Sequence, residues 1–173
     1  MSAETIQAAS AGRMRQQIEL HEIANPLIRR GFDLWQRLRG ARRFPTRTEL
    51  SPRHMPELLR NAVLIRVVEG GEEFQFRVIG DAIVMAQGAS FQGMTTHEVD
   101  RVLPGYGSAL RGIYRRIYKS GEPLAFRGWY EREADQHSFF HETVVLPLGP
   151  DGGAVDHIFV VGVYARDHRG LKH

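Results

Sequence analysis

The chain has 173 residues, 42% of them hydrophobic, which suits one sizeable core and is too little for two. With no cysteine, disulfides, thiolate metal sites and a cysteine nucleophile are all excluded. The net charge is a modest +3, and the cations are nearly all arginine, the side chain that favours planar contacts with carboxylate or phosphate.

Residues 1–24 read as a flexible or partly helical segment. Met1 to Arg13 has little to bury and is expected to be disordered or a frayed helix, whereas Met14 to Ile23 can be helical with Ile18 and Ile23 inward. Asn25-Pro26 is an N-cap followed by a proline at the first helical position, so a helix is expected over 26–39, ended by Gly40. Along it Leu27, Ile28, Gly31, Phe32, Trp35 and Leu38 recur every three or four residues, with Leu34 at the edge of the stripe. That stripe can cover the chain's own sheet or a second copy, and periodicity treats the two alike.

Phe44-Pro45 to Pro52 reads as an extended connector, and Ser51 caps a short helical turn from Pro52 to Leu59. Two β-branched runs, Asn61 to Val68 and Glu73 to Gly80, flank Gly70-Gly71 and predict a hairpin with Phe74, Phe76 and Val78 on its inward side. Glycines 80, 88 and 93 then punctuate short helical turns. From Tyr106 the residues Leu110, Ile113, Tyr114 and Ile117 follow helical spacing to a stop at Gly121, which predicts a helix over 106–120. Three strands follow, Leu124 to Arg132, Ser138 to Leu148 and Val155 to Ala165, with turns at Asp135-Gln136 and Gly149 to Gly153. Residues 166–173 form a polar tail after a single domain over 25–165. Five strands with helices gathered on one face make an α+β layer pair.

Catalytic signatures are missing: there is no nucleophile elbow and no glycine-rich loop ending in Lys-Ser or Lys-Thr. His137 and His141 fall on one face of a strand, yet residues four apart in a strand are separated by about 13 Å, too far to share one ion. They read as exposed or locally hydrogen-bonded, and no metal is expected. Arg29, Arg30, Arg37, Arg39, Arg42, Arg43, Arg47 and Arg53 cluster with only Asp33 and Glu49 among them. A solvated helix face is the simpler account, and a nucleic-acid surface the sharper one. No apolar run reaches the roughly 18 residues that cross a bilayer, and the start lacks a signal core, so a cytoplasmic protein is expected.

Leu34-Trp35, Arg37-Leu-Arg-Gly40, Phe44-Pro-Thr-Arg47, Leu50-Ser-Pro52, Met55-Pro-Glu-Leu-Leu59, the Phe74 to Gly80 strand, and Gly88 followed by Gly93 together resemble the PAS domain family. The match is to its branch of short bacterial proteins with no attached output domain, and it spans roughly residues 27 to 165. Asp81 departs from the pattern, standing where a small hydroxyl residue is expected. The resemblance implies strand order 2-1-5-4-3, a long helix walling an internal cavity, and a flanking helix that takes part in dimerisation, through Leu27, Ile28, Phe32, Trp35 and Leu38 here. It makes the chain a non-enzymatic sensory module that binds a small molecule or a protein, forms a homodimer, and signals to a separate output protein.

The expected cavity lining is Phe76, Arg77, Val78, Ile83, Phe91, Met94, Leu110, Ile113, Tyr114, Ile117, Trp129, Phe139, His141 and Val161, although ordinary core packing accounts for the same spacings. No residue argues for haem or flavin: the helix over 106–120 has no histidine, His97 is the nearest candidate ligand, and a cysteine adduct is impossible. Two other readings remain open. A small cone-shaped α+β enzyme would use Asp81, Asp100 or Glu142 as its acid. A nucleic-acid binder would use the arginines from Arg29 to Arg53.

Overall fold

Seven antiparallel strands make one sheet in the order β1-β2-β5-β6-β7-β3-β4. The structure, a computed structural model, describes residues 5–7, 13–132 and 137–165. In chain order the elements are β1 (Thr5–Gln7), β2 (Arg13–Ile18), α1 (Pro26–Arg39), β3 (Ala62–Val68), β4 (Glu73–Ile79), α2 (Asp81–Gln87), α3 (Thr96–Val102), α4 (Tyr106–Ser120), β5 (Leu124–Arg132), β6 (His137–Leu148) and β7 (His157–Ala165). The five strands from β3 onward keep the neighbours expected of them. The sheet is larger than expected because β1 and β2 extend it beyond β5.

That extension corrects the helix expected from Met14 to Ile23. Residues 13–18 instead pair antiparallel with β5, from Arg13 opposite Tyr130 to Ile18 opposite Ala125. Two isoleucines five apart give a helix no stripe to bury, while the open edge of β5 offers a row of backbone donors and acceptors. The segment before it is strand at Thr5–Gln7, paired with β2. The remaining residues of 1–12, the turn at Asp135-Gln136 and the tail over 166–173 lie outside the described residues.

Asn25 caps α1 as its sequence position predicts, its side chain accepting from the Leu27 and Ile28 amides at 2.9 and 3.3 Å. Gly121, at φ 64°, ends α4 in the left-handed conformation that glycine adopts without a Cβ clash. The β3–β4 connection is longer than two residues: Glu69–Gly71 form a 3-10 turn with positive φ at all three positions. A bulge then shifts the register between Leu64 and Ile65, so that Leu64 faces Val78 and Ile65 faces Phe76, with Arg77 looped out. Phe74, Phe76 and Ile79 are buried as a result, and Val78 is 49% exposed, which corrects the simple alternation expected for this strand.

Helices cover both faces of the sheet. Val63, Val145 and Val160 look toward α2 and α4. By alternation Val144, Leu146, Phe159 and Val161 look the other way, toward α1. The close approach of Gly31 to Val161 and a 2.8 Å hydrogen bond from Trp35 Nε1 to the Pro147 carbonyl fix α1 on that outer face. Its apolar stripe is spent there: Ile28, Phe32, Leu34 and Trp35 are buried in the chain's own core, and Leu27 and Leu38 pack partly against it. The stripe expected as a dimer surface is therefore already covered.

Candidate ligand cavity

Between the sheet and α2 and α4 lies a cavity of about 50 Å³. Its walls come from β3 (Val63), β4 (Phe76), β5 (Phe126), β6 (Thr143, Val145) and β7 (Val160, Gly162, Tyr164). The roof comes from α2 (Ile83, Gln87) and α4 (Tyr106, Leu110, Ile113, Tyr114). Arg15 reaches it from β2, its guanidinium carbon 5.9 Å from the centre of the Phe126 ring.

Aromatic rings build the hydrophobic end. Tyr114 meets Phe74 edge-on at 5.5 Å and Phe76 at 6.4 Å between ring centres, and Phe91 leans on Phe76 and Tyr106. The polar end is less settled. Gln87 donates from Nε2 to the Tyr106 hydroxyl oxygen at 2.8 Å, while its Oε1 is buried with no hydrogen-bond partner. Burial, reinforced by the nearby Tyr106, pushes the Tyr114 hydroxyl pKa well above the usual phenol range. The Arg15 charge offsets that rise in part. Arg15 itself makes no hydrogen bond or ion pair among the described residues.

Of the residues expected to line the cavity, Phe76, Ile83, Leu110, Ile113 and Tyr114 do so. Phe91, Ile117, Phe139 and His141 are buried, and Met94 is partly buried, but all five stand outside the walls. His141 lies behind the lining, its ring stacked 5.5 Å from that of Tyr164 and its Nδ1 3.4 Å from Thr143 Oγ1. Four residues are misplaced by the sequence reading. The bulge turns Arg77 and Val78 outward. Trp129 shares the outer face with Arg127, two residues before it, and Val161 is under Gly31 of α1. Arg15, Val63, Gln87, Tyr106, Phe126, Thr143, Val145, Val160, Gly162 and Tyr164 were not anticipated. The run Val160 to Tyr164 held the clue for the last two, since a strand covered on both faces alternates between two cores.

Size decides what fits. The cavity of about 50 Å³ is small beside the roughly 300 Å³ and more of metabolite pockets. No histidine is among the described residues lining it. His97, the nearest candidate haem ligand, is exposed on α3 with its amide near Glu73.

The carboxylates of the enzymatic reading lie elsewhere. Asp81 is exposed and pairs with Arg60 at 3.0 Å. At Asp100 burial raises the pKa, but hydrogen bonds from Ser108 and the charge of Arg111 outweigh it, and the net shift is downward. Glu142 is 1% exposed on the outer face, where Oε1 accepts from the Ala24 and Asn25 amides at 2.9 and 2.8 Å and Oε2 takes both Nε and Nη2 of Arg127. None of the three lines the cavity. Part of the arginine cluster is committed within the chain, while Arg30, Arg37 and Arg53 are exposed. Arg29 donates to the Leu20, His21 and Ile23 carbonyls, Arg42 to Glu49 and Leu38, Arg43 to Ser120, and Arg39 lies 5.1 Å from the Trp35 ring centre.

A family model described as PAS domain matches residues 24–164. Among solved structures, the PAS domain of Bordetella pertussis BvgS is 16% identical over 69% of this chain and 89% of that one, with a TM-score of 0.51. A Rhodobacter sphaeroides LOV protein is 14% identical, over 69% and 72%, at 0.45. The PAS domain of an HTR-like protein from Haloarcula marismortui is 18% identical, over 68% and 94%, at 0.41. No curated protein matches the chain. At these identities the BvgS likeness is one of fold, and strands β1 and β2, with Arg15, fall before the matched residues.

Proposed function

Since the chain belongs to the PAS domain family, we propose that it is a cytoplasmic sensory module without catalysis, which converts the state of its cavity into altered association with a second copy and, through it, a separate output protein. One observation carries the reading: a charged side chain from the strand outside the family segment enters the cavity, so whatever fills the cavity acts on the chain's N-terminal part.

The route from there is continuous. Arg116 of α4 donates to Gln17 Oε1 on β2 at 2.7 Å, so the helical roof and the added strand are tied. Beyond Ile18 the chain makes a 3-10 turn at Leu20–Glu22 and enters α1. Arg29 clamps the carbonyls of that turn, and Arg127 donates to Glu22 O at 2.7 Å while holding Glu142. A displacement of β2 is thereby delivered to the start of α1 rather than dissipated in a loose linker.

The test is light scattering over a range of protein concentrations on the wild type and on Gly162→Val, which fills the cavity. The reading expects self-association at micromolar concentration and a change of about threefold or more in its constant in the variant, a small coupling free energy. A chain that stays monomeric, or an association constant that ignores the cavity, contradicts it.

A further inference from the structure

We propose that a groove beside α1 binds a free α-amino acid with an apolar side chain, its ammonium on Asp33 and its carboxylate on Arg37. The groove shares no lining residue with the inner cavity, and the proposal goes beyond the sensory reading without resting on it.

The groove runs between α1 and the 3-10 turns at Pro52–His54 and Pro56–Asn61, with a volume of about 250 Å³. That is about five times the inner cavity and close to the roughly 300 Å³ at which small-molecule sites begin. A proline with a fixed φ opens each turn, which stiffens that wall. The floor is apolar and buried, with Leu34 7% exposed, Met55 5% and Leu58 1%. An aliphatic side chain laid on it leaves water, while a polar one finds no hydrogen-bonding side chain there.

The rim carries both signs of charge. Arg30, Asp33, Arg37 and Glu57 stand around the floor with His54, and all five are exposed. None of these side chains makes a hydrogen bond or an ion pair among the described residues, although Arg29, Arg39, Arg42 and Arg43 nearby are all engaged. Asp33 and Arg37 are four residues apart on α1, where Cβ atoms lie about 5 to 6 Å apart and a direct pair is within reach. They stay apart. An ammonium and a carboxylate carried on one carbon reach two groups at that spacing together, the carboxylate lying against the planar guanidinium. A lone anion would be opposed by Asp33 and Glu57, and a lone cation by Arg30 and Arg37. The rim therefore selects a zwitterion, and the floor selects its side chain.

The experiment is isothermal titration of the full chain at pH 8 with L-leucine, glycine, 4-methylpentanoate, which lacks the ammonium, and isopentylamine, which lacks the carboxylate. It is repeated on Asp33→Asn, Arg37→Gln and, outside the groove, Arg53→Gln. Leucine is expected to bind with a Kd on the order of 1 mM. Glycine and both single-charge analogues should bind about tenfold more weakly or worse. Arg37→Gln should weaken leucine about fivefold or more, and Arg53→Gln should leave it unchanged. Asp33→Asn should erase the preference for leucine over 4-methylpentanoate, which a merely structural role for Asp33 would not do. The substituted positions are exposed, so the variants keep the core intact, which a circular dichroism melt checks. Absent leucine binding at about 10 mM overturns the proposal. So does binding that the analogues match, or that Arg53→Gln weakens as much as Arg37→Gln does. An association constant that responds to Gly162→Val while leucine fails to bind sinks the groove and leaves the sensory reading standing.

Discussion

Gly162→Ala is expected to stabilise the chain. Gly162 sits on β7 with a φ outside the left-handed region, so alanine adopts the same backbone without strain. A Cβ built there meets Ile83 Cδ1, Thr143 Oγ1 and Tyr164 Cε2, each at 3.4 Å, which is ordinary van der Waals contact. The added methyl fills part of the cavity and removes about 0.8 kcal/mol of apolar surface from water. Restricting the unfolded chain adds about 0.4 to 1 kcal/mol. Discounting for imperfect fit, the net is about 1 kcal/mol, or a rise of about 3 °C in Tm for a chain of this length. Urea denaturation measures it. A loss of 1 kcal/mol or more, on the order of an overpacked core site, would show that the walls around Gly162 have no slack and that the cavity is not a real void.

Other substitutions probe the outer face. Gly31→Ala should destabilise by about 1 kcal/mol despite alanine's better helix propensity, because its Cβ would come within 2.8 Å of Val161 Cγ2 on a stiff β-branched side chain; a thermal melt reports it. Glu142→Gln should cost about 2 to 3 kcal/mol in urea, since it unpairs Arg127 and weakens two amide contacts at the start of α1. Trp35→Phe removes the bond to Pro147 O and should cost about 1 kcal/mol, with loss of the blue-shifted part of the fluorescence that a buried indole contributes. For Glu49, hydrogen bonds from Arg42 and Thr46 lower the pKa from 4.5 to about 2 in the folded chain. A depressed carboxyl pKa stabilises above pH 4.5, and that contribution fades as pH falls toward about 2, so Glu49→Gln should be less stable than the wild type at pH 7 and converge with it in acid. Denaturation midpoints across that pH window check the sign.

What was readable beforehand follows from how local each signal is. Asn25-Pro26 and Gly40 bound α1, and Tyr106 and Gly121 bound α4, because capping and helical spacing are decided within a few residues. The β5–β7 strands are long and rich in β-branched or aromatic residues, and their bounds came close. By contrast β2 is a polar six-residue strand whose existence depends on the edge of β5, more than a hundred residues away in the chain. Propensity has no access to that edge. Cavity membership failed for a related reason. Deciding between Val160 and Val161 requires knowing which face α1 covers, and deciding between Val78 and Ile79 requires knowing of the bulge. The polar half of the cavity could not be read at all, because Arg15, Gln87 and Tyr106 come from three separate elements that meet only in the folded sheet.

Amide hydrogen exchange followed by mass spectrometry, comparing the wild type with Gly162→Ala, tests the central claim most directly. The substitution is on β7, three strands from β2 in the sheet. If the cavity is mechanically joined to the N-terminal part through Arg15, exchange changes in residues 13–18 and in the stretch from Leu20 to Arg29, beyond the uniform shift that added global stability produces. A change confined to β7 and its immediate neighbours, with the N-terminal strand and the start of α1 exchanging as in the wild type, contradicts the account.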